Sequence, residues 1–164
     1  MDTEDKIRII FLDIDGVMNS DEYFMTHLDR DGDTLFIDPE KITVLNMLKD
    51  IPGIQIVISS SWGDTADGPL KRLGLEIPIT GHIHHFHFDW ICRGCEIEDY
   101  IVNMLHLRGT KFGEKHRDHD KYEYVIFDDD EDMLLGQKDN FIQTNRDTGL
   151  TEDDIRKAKE ILMK

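Results

Sequence analysis

Two aspartates, Asp13 and Asp15, stand one residue apart, directly after a continuous apolar run and directly before Gly16. The run that begins at Arg8 predicts a strand buried on both faces, as in a parallel sheet. The glycine allows the chain to turn sharply away from that strand. Because ligands bind beyond the carboxyl ends of such strands, the pair lies where chemistry is expected. Repulsion between two neighbouring carboxylates favours a cation between them.

Two later apolar segments also end in polar side chains. The segment from Ile54 to Ile58 is followed by Ser59, and the segment from Tyr122 to Phe127 is followed by an acidic cluster of Asp128, Asp129 and Asp132. In a parallel sheet these strand ends share one edge, so we expect a pocket lined by carboxylates and a hydroxyl. Hard oxygen ligands of this kind suit Mg²⁺, which binds a few carboxylates together with substrate phosphate and water.

Helix signals between these strands indicate how the strand ends are positioned. Strands that alternate with helices predict an α/β fold, with a parallel sheet flanked by helices. Weaker strand signals lie at residues 77–83 and at Phe141-Ile142. We predict a single domain over residues 1–164, in which residues 17–37 form a flap-like insertion. The helix signals are the Asp38-Pro39-Glu40 start, a short helix near Leu70, an apolar stripe from Glu96 to Leu107 and a capping box at Thr151-Glu-Asp-Asp154.

The chain is acidic. Of its 164 residues, 35 are Asp or Glu and 19 are Lys or Arg, which gives a formal net charge of −16. This balance argues against a broad nucleic-acid surface but allows recognition of a short end or a mononucleotide. No apolar run is long enough to span a membrane, and no secretory signal follows Met1. Two cysteines favour a reducing, cytoplasmic setting over a disulfide framework. The sequence predicts no oligomeric state.

Taken in order, these features resemble the haloacid dehalogenase (HAD) superfamily of aspartate-nucleophile phosphatases, which has a Rossmann-like fold. The run Asp13-Ile-Asp15-Gly-Val17 is similar to the first motif of the superfamily. Ser59 after its apolar strand is similar to the second motif. Asp128-Asp129 together with Asp132 is similar to the fourth.

The third motif of the superfamily requires a Lys or Arg, usually at the start of a helix. Arg93 fits best, because it stands just before Gly94 and the helix predicted from Glu96. Lys115 and Lys121 remain alternatives for this basic role.

Five phrases resemble a narrower subgroup, the phosphatase domains associated with RNA-repair (Swiss Army knife) proteins. That subgroup also resembles the phosphatase half of phage polynucleotide kinase-phosphatases and the small deoxynucleotidases. The resemblance implies a nucleotide or a nucleic-acid 3′-phosphate end as substrate, and the short segment of residues 17–37 predicts a minimal cap that leaves the site open. The phrases are Asp15-Gly-Val-Met-Asn19, Ser59-Ser-Ser-Trp62, Arg93-Gly-x-Glu-Ile97, Phe127-Asp-Asp-Asp130 and Thr148-Gly-Leu-Thr151.

The resemblance implies a role for each site residue. Asp13 would attack phosphorus to form an aspartyl-phosphate, and Asp15 would act as general acid and base. Ser59 and Arg93 would bind the phosphoryl oxygens. Mg²⁺ would be held by Asp13, Asp129 and the backbone carbonyl of Asp15. The supporting residues would be Asp128 and Asp132 around the metal, and Asn19, Ser60 and Trp62 towards the substrate.

Other interpretations stay open at this point. The acidic balance also fits a phosphatase of a small non-nucleotide metabolite. A non-catalytic metal-binding regulatory module or a phosphotransferase would present the same carboxylates. Product analysis with an added alcohol acceptor separates transfer from hydrolysis.

Two segments imitate other metal-binding motifs. Cys92-x-x-Cys95 would suit zinc together with upstream histidines, but the pair straddles Arg93-Gly94 and no second cysteine pair exists. The second segment has the spacing of a calcium-binding loop. The glycine that such a loop needs is replaced by Thr34, and Pro39 lies inside the loop, so a polar flap is favoured. The histidine segment is equally a wall for substrate stacking or a part of the packed core. The residues concerned are His82, His84, His85 and His87 with Phe86, Phe88 and Trp90, and Asp29, Asp31, Asp33 and Glu40.

Overall fold

The computed structural model describes residues 6–27, 36–83, 91–106 and 122–164. Within these residues the strands are β1 (Ile7–Leu12), β2 (Ile54–Ile58), β3 (Ile79–His82), β4 (Tyr122–Asp128) and β5 (Phe141–Gln143). The α-helices are α1 (Asp21–Thr26), α2 (Pro39–Leu45), α3 (Asp67–Arg72), α4 (Arg93–Tyr100) and α5 (Glu152–Leu162). Short 3₁₀ turns lie at Asn46–Leu48, Gly63–Ala66 and Leu135–Asn140, and α4 continues into a π-type turn over Ile101–His106.

The described strands form one parallel sheet in the order β3-β2-β1-β4-β5. Leu12, the last residue of the central strand β1, pairs with Ile58 on one side and with Phe127 on the other. Three neighbouring strands therefore finish at one edge of the sheet. Together with the helices on the two faces, this arrangement confirms the predicted α/β fold.

Strand β1 is buried on both faces, as its continuous apolar run predicts. Ile10 and Leu12 face one core cluster, which also receives apolar residues of α2, α3 and α5. Ile9 and Phe11 face the second cluster, which receives Ile97 of α4. Helices therefore pack against both faces of β1.

The two helix starts that were predicted from capping residues are present in the structure. The Asp38 side chain accepts the backbone N–H of Glu40 at 2.8 Å, with Pro39 at the first helical position of α2. The Thr151 hydroxyl and the Asp154 carboxylate form the reciprocal capping box of α5. These local bonds satisfy donors that a helix start leaves open.

The segment from residue 17 to residue 37 contains a short helix that the apolar periodicity does not predict. Helix α1 is capped by the Ser20 hydroxyl, which accepts the N–H of Tyr23 at 3.0 Å, and none of its residues is buried. Val17, Met18 and Ile37 are fully buried, so both ends of the segment belong to the core.

Two predicted boundaries shift in the structure. The third strand covers residues 79–82 rather than 77–83, and α4 begins at Arg93 rather than at Glu96. The earlier start follows from Cys92, whose extended backbone makes it the N-cap. Within the described ranges, no helix is long and apolar enough to cross a membrane.

Several sequence-based predictions lie outside the described residues. They concern the calcium-like spacing, most of the histidine segment, the charged loop and the two alternative basic residues. The residues are Asp29, Asp31, Asp33 and Thr34, positions 84–90, positions 109–121, and Lys115 and Lys121.

Candidate active site

Asp13, Ser59 and Asp128 lie side by side at the carboxyl ends of β1, β2 and β4. The ladder that pairs the three strands continues by one step, because Ser59 N–H donates to the Leu12 carbonyl at 2.8 Å and Asp13 N–H donates to the Phe127 carbonyl at 3.0 Å. Side chains alternate between faces along a strand. Each of the three residues follows by two positions a residue that packs in the α4 cluster, so their side chains share the α4 face.

Three carboxylates converge at this edge. Asp13, Asp128 and Asp129 each offer an oxygen, and these oxygens lie within 4.8 Å of one another. Asp13 is 8% exposed and Asp128 is 2% exposed. Burial raises the pKa of Asp13 to about 6, and burial followed by the charge of Asp13 raises the pKa of Asp128 to about 8. Buried, mutually repelling carboxylates fit a divalent cation, because its charge removes both penalties.

Gly16 is required where it stands because Asp129 lies against it. The residue has a φ of +73°, and a Cβ at this position would overlap the Asp129 carboxyl group. The glycine that follows the aspartate pair therefore has two functions. It turns the chain, and it leaves space for a carboxylate from β4.

The Asp15 carboxylate is held apart from the group of three by two side-chain donors. Asn19 Nδ2 donates to Asp15 Oδ1 at 2.9 Å, and Trp62 Nε1 donates to Asp15 Oδ2 at 3.0 Å. The Asn19 amide oxygen also accepts the Gly16 N–H at 2.8 Å. Asn19 and Trp62, which the resemblance placed towards the substrate, thus lie where they orient Asp15.

The two serines after β2 differ in their bonding. The Ser60 hydroxyl bonds to the Asp13 carboxylate, an interaction that lowers the Asp13 pKa against the larger effect of burial. The Ser59 hydroxyl is buried and makes no hydrogen bond to any residue that the structure describes. A buried hydroxyl without a partner costs stability, so its presence beside Asp13 suits a ligand oxygen.

Arg93 is the first residue of α4 and directs its guanidinium towards the carboxylates. Its Nη1 lies 3.1 Å from Glu96 Oε2, and its Nε lies 3.8 Å from Asp128 Oδ2. The Arg93 backbone N–H donates to Asp132 Oδ2 at 2.9 Å. Asp132 therefore holds the start of the helix that carries Arg93, and it stands outside the group of three carboxylates.

Arg146 is a site residue that the sequence reasoning missed. Its Nη1 lies 2.8 Å from Asp129 Oδ2, and its Nε lies 3.7 Å from Asp21 Oδ1. The loop around it is anchored on the first motif, since the Thr144 hydroxyl donates to the Gly16 carbonyl at 2.9 Å. One sequence feature could have indicated Arg146, namely its position two residues before the segment Thr148-Gly-Leu-Thr151.

A cavity of about 550 Å³ lies beside Trp62, whose indole N–H donates to Asp15. The Phe36 ring meets the Trp62 ring edge-on, with centroids 6.4 Å apart. The cavity joins aromatic, polar and cationic side chains around one opening. Its lining residues are Phe36, Trp62, Asp64, Thr65, Gly68, Pro69 and Arg72.

Residues 9–155 match a family described as the HAD domain in Swiss Army Knife RNA repair proteins. The chain belongs to this family. No curated protein and no solved structure matches the chain. Family membership supports a phosphatase-type function and confirms the resemblance on which the sequence analysis rests.

All the site residues of this HAD domain, from Asp13 to Arg146, lie within the matched range. HAD domains generally use a divalent metal, and the group of Asp13, Asp128 and Asp129 could hold one. The chemistry of the donors fits this use, because all three are carboxylates and two are buried.

Proposed function

We propose that this HAD domain is a Mg²⁺-dependent phosphatase, which hydrolyses a phosphomonoester through an aspartyl-phosphate on Asp13. The observation that carries the proposal is the row of Asp13, Ser59 and Asp128 on one face of three adjacent strand ends. In the proposed mechanism Asp13 is the nucleophile, Ser59 is a hydroxyl donor and Asp128 is a metal ligand. Substrates of this enzyme are nucleotides or nucleic-acid 3′-phosphate ends.

The side chains divide the chemistry among themselves. The Asp13 carboxylate forms the new O–P bond, and Asp15 protonates the oxygen of the leaving group as its bond to phosphorus breaks. Asp15 later accepts a proton from the water that attacks the aspartyl-phosphate. The donors of Asn19 and Trp62 fix the orientation of Asp15 for both proton transfers.

The phosphoryl oxygens meet two donors from this chain. The Ser59 hydroxyl supplies one hydrogen bond, and the Arg93 guanidinium supplies positive charge. Ser60 holds the Asp13 carboxylate through its hydroxyl, and the nearby Arg93 charge lowers the Asp13 pKa. Asp13, Asp128 and Asp129 would hold Mg²⁺, whose charge would offset the negative charge of the phosphoryl group.

The cavity beside Trp62 supports a nucleotide over a small metabolite. An aromatic ring next to the proton donor provides a surface on which a base can stack. Arg72 at the same cavity supplies a cation on an otherwise acidic chain. A substrate with a phosphate and an aromatic base would use both features.

Phosphate release from a panel of substrates with Mg²⁺ tests the proposal. The panel holds p-nitrophenyl phosphate, 3′- and 5′-mononucleotides, glycerol phosphate, and short RNA and DNA with 3′-phosphates. We expect release from the nucleotides and 3′-phosphate ends, and its loss in Asp13→Asn. Preference for glycerol phosphate would contradict the nucleotide assignment. Mg²⁺ binding without release from any substrate would make the chain a non-catalytic module.

A further inference from the structure

The two cysteines of the chain lie together at the start of α4. Their Sγ atoms are 3.0 Å apart, and both are free thiols, with Cys95 exposed and Cys92 half-buried. The carboxylates of Asp13, Asp128 and Asp129 form the one potential metal group among the described residues, so the cysteines do not belong to a described metal site. We propose that Cys92 and Cys95 are a redox modification site, a dithiol that oxidises reversibly to an intrachain disulfide and thereby controls Arg93.

The helix start brings the two thiols together. Cys92 is the N-cap of α4 and Cys95 is its third residue, and side chains at these two positions face each other. A disulfide has a sulfur–sulfur distance of about 2.05 Å, so the sulfur atoms need to approach by about 1 Å. The Cys92 side chain makes no capping hydrogen bond, and this movement therefore breaks no cap.

Arg93 and Gly94 stand between the two cysteines, and their backbone is anchored on Asp132. Arg93 N–H donates to Asp132 Oδ2 at 2.9 Å, and Gly94 N–H donates to the Asp132 carbonyl at 3.3 Å. Contraction between Cys92 and Cys95 bends this anchored segment and weakens both bonds. The Arg93 guanidinium then moves away from Asp128, which it approaches to 3.8 Å. The effect on activity rests on the proposed function, in which Arg93 binds the phosphoryl group.

Hydrogen peroxide is a sufficient oxidant for this step. One cysteine thiolate attacks a peroxide oxygen, so that an S–O bond forms, the O–O bond breaks and hydroxide leaves. The second thiolate attacks the resulting sulfenic sulfur, the S–S bond forms, the S–O bond breaks and hydroxide leaves, which takes a proton from water or buffer. The two sulfur atoms lose two electrons in all, and the peroxide gains them. A dithiol reductant reverses the change through a mixed disulfide.

Thiol counting and intact mass on the full chain test the modification. After treatment with hydrogen peroxide we expect both thiols to disappear together, with the mass lowered by two hydrogens and the chain not cross-linked to a second copy. Amide exchange of Arg93 and Gly94 should become faster, because their bonds to Asp132 weaken. Hydrolysis of p-nitrophenyl phosphate should fall by about tenfold, the cost of weakening a charge-assisted contact, and dithiothreitol should restore it.

Cys92→Ser and Cys95→Ser are the matched controls, because each keeps a small polar side chain and removes the partner thiol. Both should stay active in peroxide. Thiols that remain free, stop at sulfenic acid, or join two chains would overturn the modification site. A disulfide that leaves the amide exchange unchanged would overturn the control of Arg93. If the reduced chain hydrolyses no substrate, the proposed function fails, while mass and exchange still decide this inference.

Discussion

The Ser59 hydroxyl is a buried donor that the described part of the chain leaves without a hydrogen-bond acceptor. Its neighbour Ser60 has the same chemistry, but its hydroxyl bonds to Asp13. The Ser59 hydroxyl is therefore available to a ligand, whereas the Ser60 hydroxyl contributes to the stability of the fold. A donor kept for a ligand lowers stability until the ligand arrives, whereas a donor used inside the protein raises it.

Replacing Ser59 by Ala should lower activity without lowering stability. The phosphoryl group loses the hydrogen bond from this hydroxyl, so kcat/KM should fall by about 10- to 100-fold. The free energy of unfolding in the absence of substrate should be equal to or higher than that of the parent, since an unsatisfied polar atom is removed. Kinetics on a 3′-mononucleotide and urea unfolding measure the two effects.

Ser60→Ala serves as the comparison for Ser59→Ala. It removes a bond to buried Asp13 and should lower the free energy of unfolding by about 1 kcal/mol. A Ser59→Ala variant that loses as much stability as Ser60→Ala would show that the Ser59 hydroxyl has a structural partner.

At the scale of the elements, the turn after β1, which follows Asp13 and Asp15, packs against the end of β4. Gly16 has a positive φ, and the Asp129 carboxyl group occupies the space that a side chain would fill. Gly74 also has a positive φ, of +93°, but a Cβ there would meet none of the described residues within 4 Å. The two glycines thus share the backbone requirement and differ in what lies beside them.

Gly16→Ala should weaken metal binding as well as stability. Backbone strain costs about 1–2 kcal/mol in either variant, but only at position 16 does the new methyl group displace Asp129. We expect Mg²⁺ affinity to fall by about 10- to 100-fold in Gly16→Ala, as when a ligand loses its support. Calorimetric titration with Mg²⁺ would measure it. Equal Mg²⁺ affinity in Gly16→Ala and Gly74→Ala would contradict this account.

The sequence allowed the elements to be predicted where one local pattern decides them. The continuous apolar run of β1 and the caps of α2 and α5 appear in the structure as expected. Helix α1 was missed because it has no buried face, so no apolar periodicity marks it. Arg146 was missed because its contact with Asp129 depends on how β5 and the following loop return to the first motif. The strand ends were predictable because parallel strands share one edge.

At the scale of the whole molecule, the buried carboxylates link stability to pH. The pKa of Asp13 is raised to about 6 and that of Asp128 to about 8, mainly by burial. A carboxyl group whose pKa is raised on folding binds its proton more tightly in the folded state. Its contribution to stability is therefore full below about pH 4, the pKa of the unfolded chain, and is lost as pH rises through the folded pKa.

Without a divalent cation, the free energy of unfolding should fall between pH 6 and pH 8. One proton gives a slope of up to about 1.4 kcal/mol per pH unit. Asp128→Asn removes the group that titrates in this window and should flatten the slope. Urea unfolding in EDTA across this range measures it. Added Mg²⁺ should stabilise the parent more at pH 8 than at pH 6, because it competes with protons for the carboxylates. An unchanged slope in Asp128→Asn would contradict this assignment.

The central position of β1 has a consequence for folding during synthesis on the ribosome. Lys6 forms an ion pair with Glu123, 117 positions later, as β4 completes the ladder on one side of β1. At roughly 5–20 residues per second, about 6–23 s pass between the synthesis of these two strands. During this interval the nascent chain carries Asp13 without Asp128 or Asp129, and an apolar strand has an open edge. The potential metal group of Asp13, Asp128 and Asp129 can therefore form only after β4 has been synthesised, and one edge of β1 stays unpaired until then.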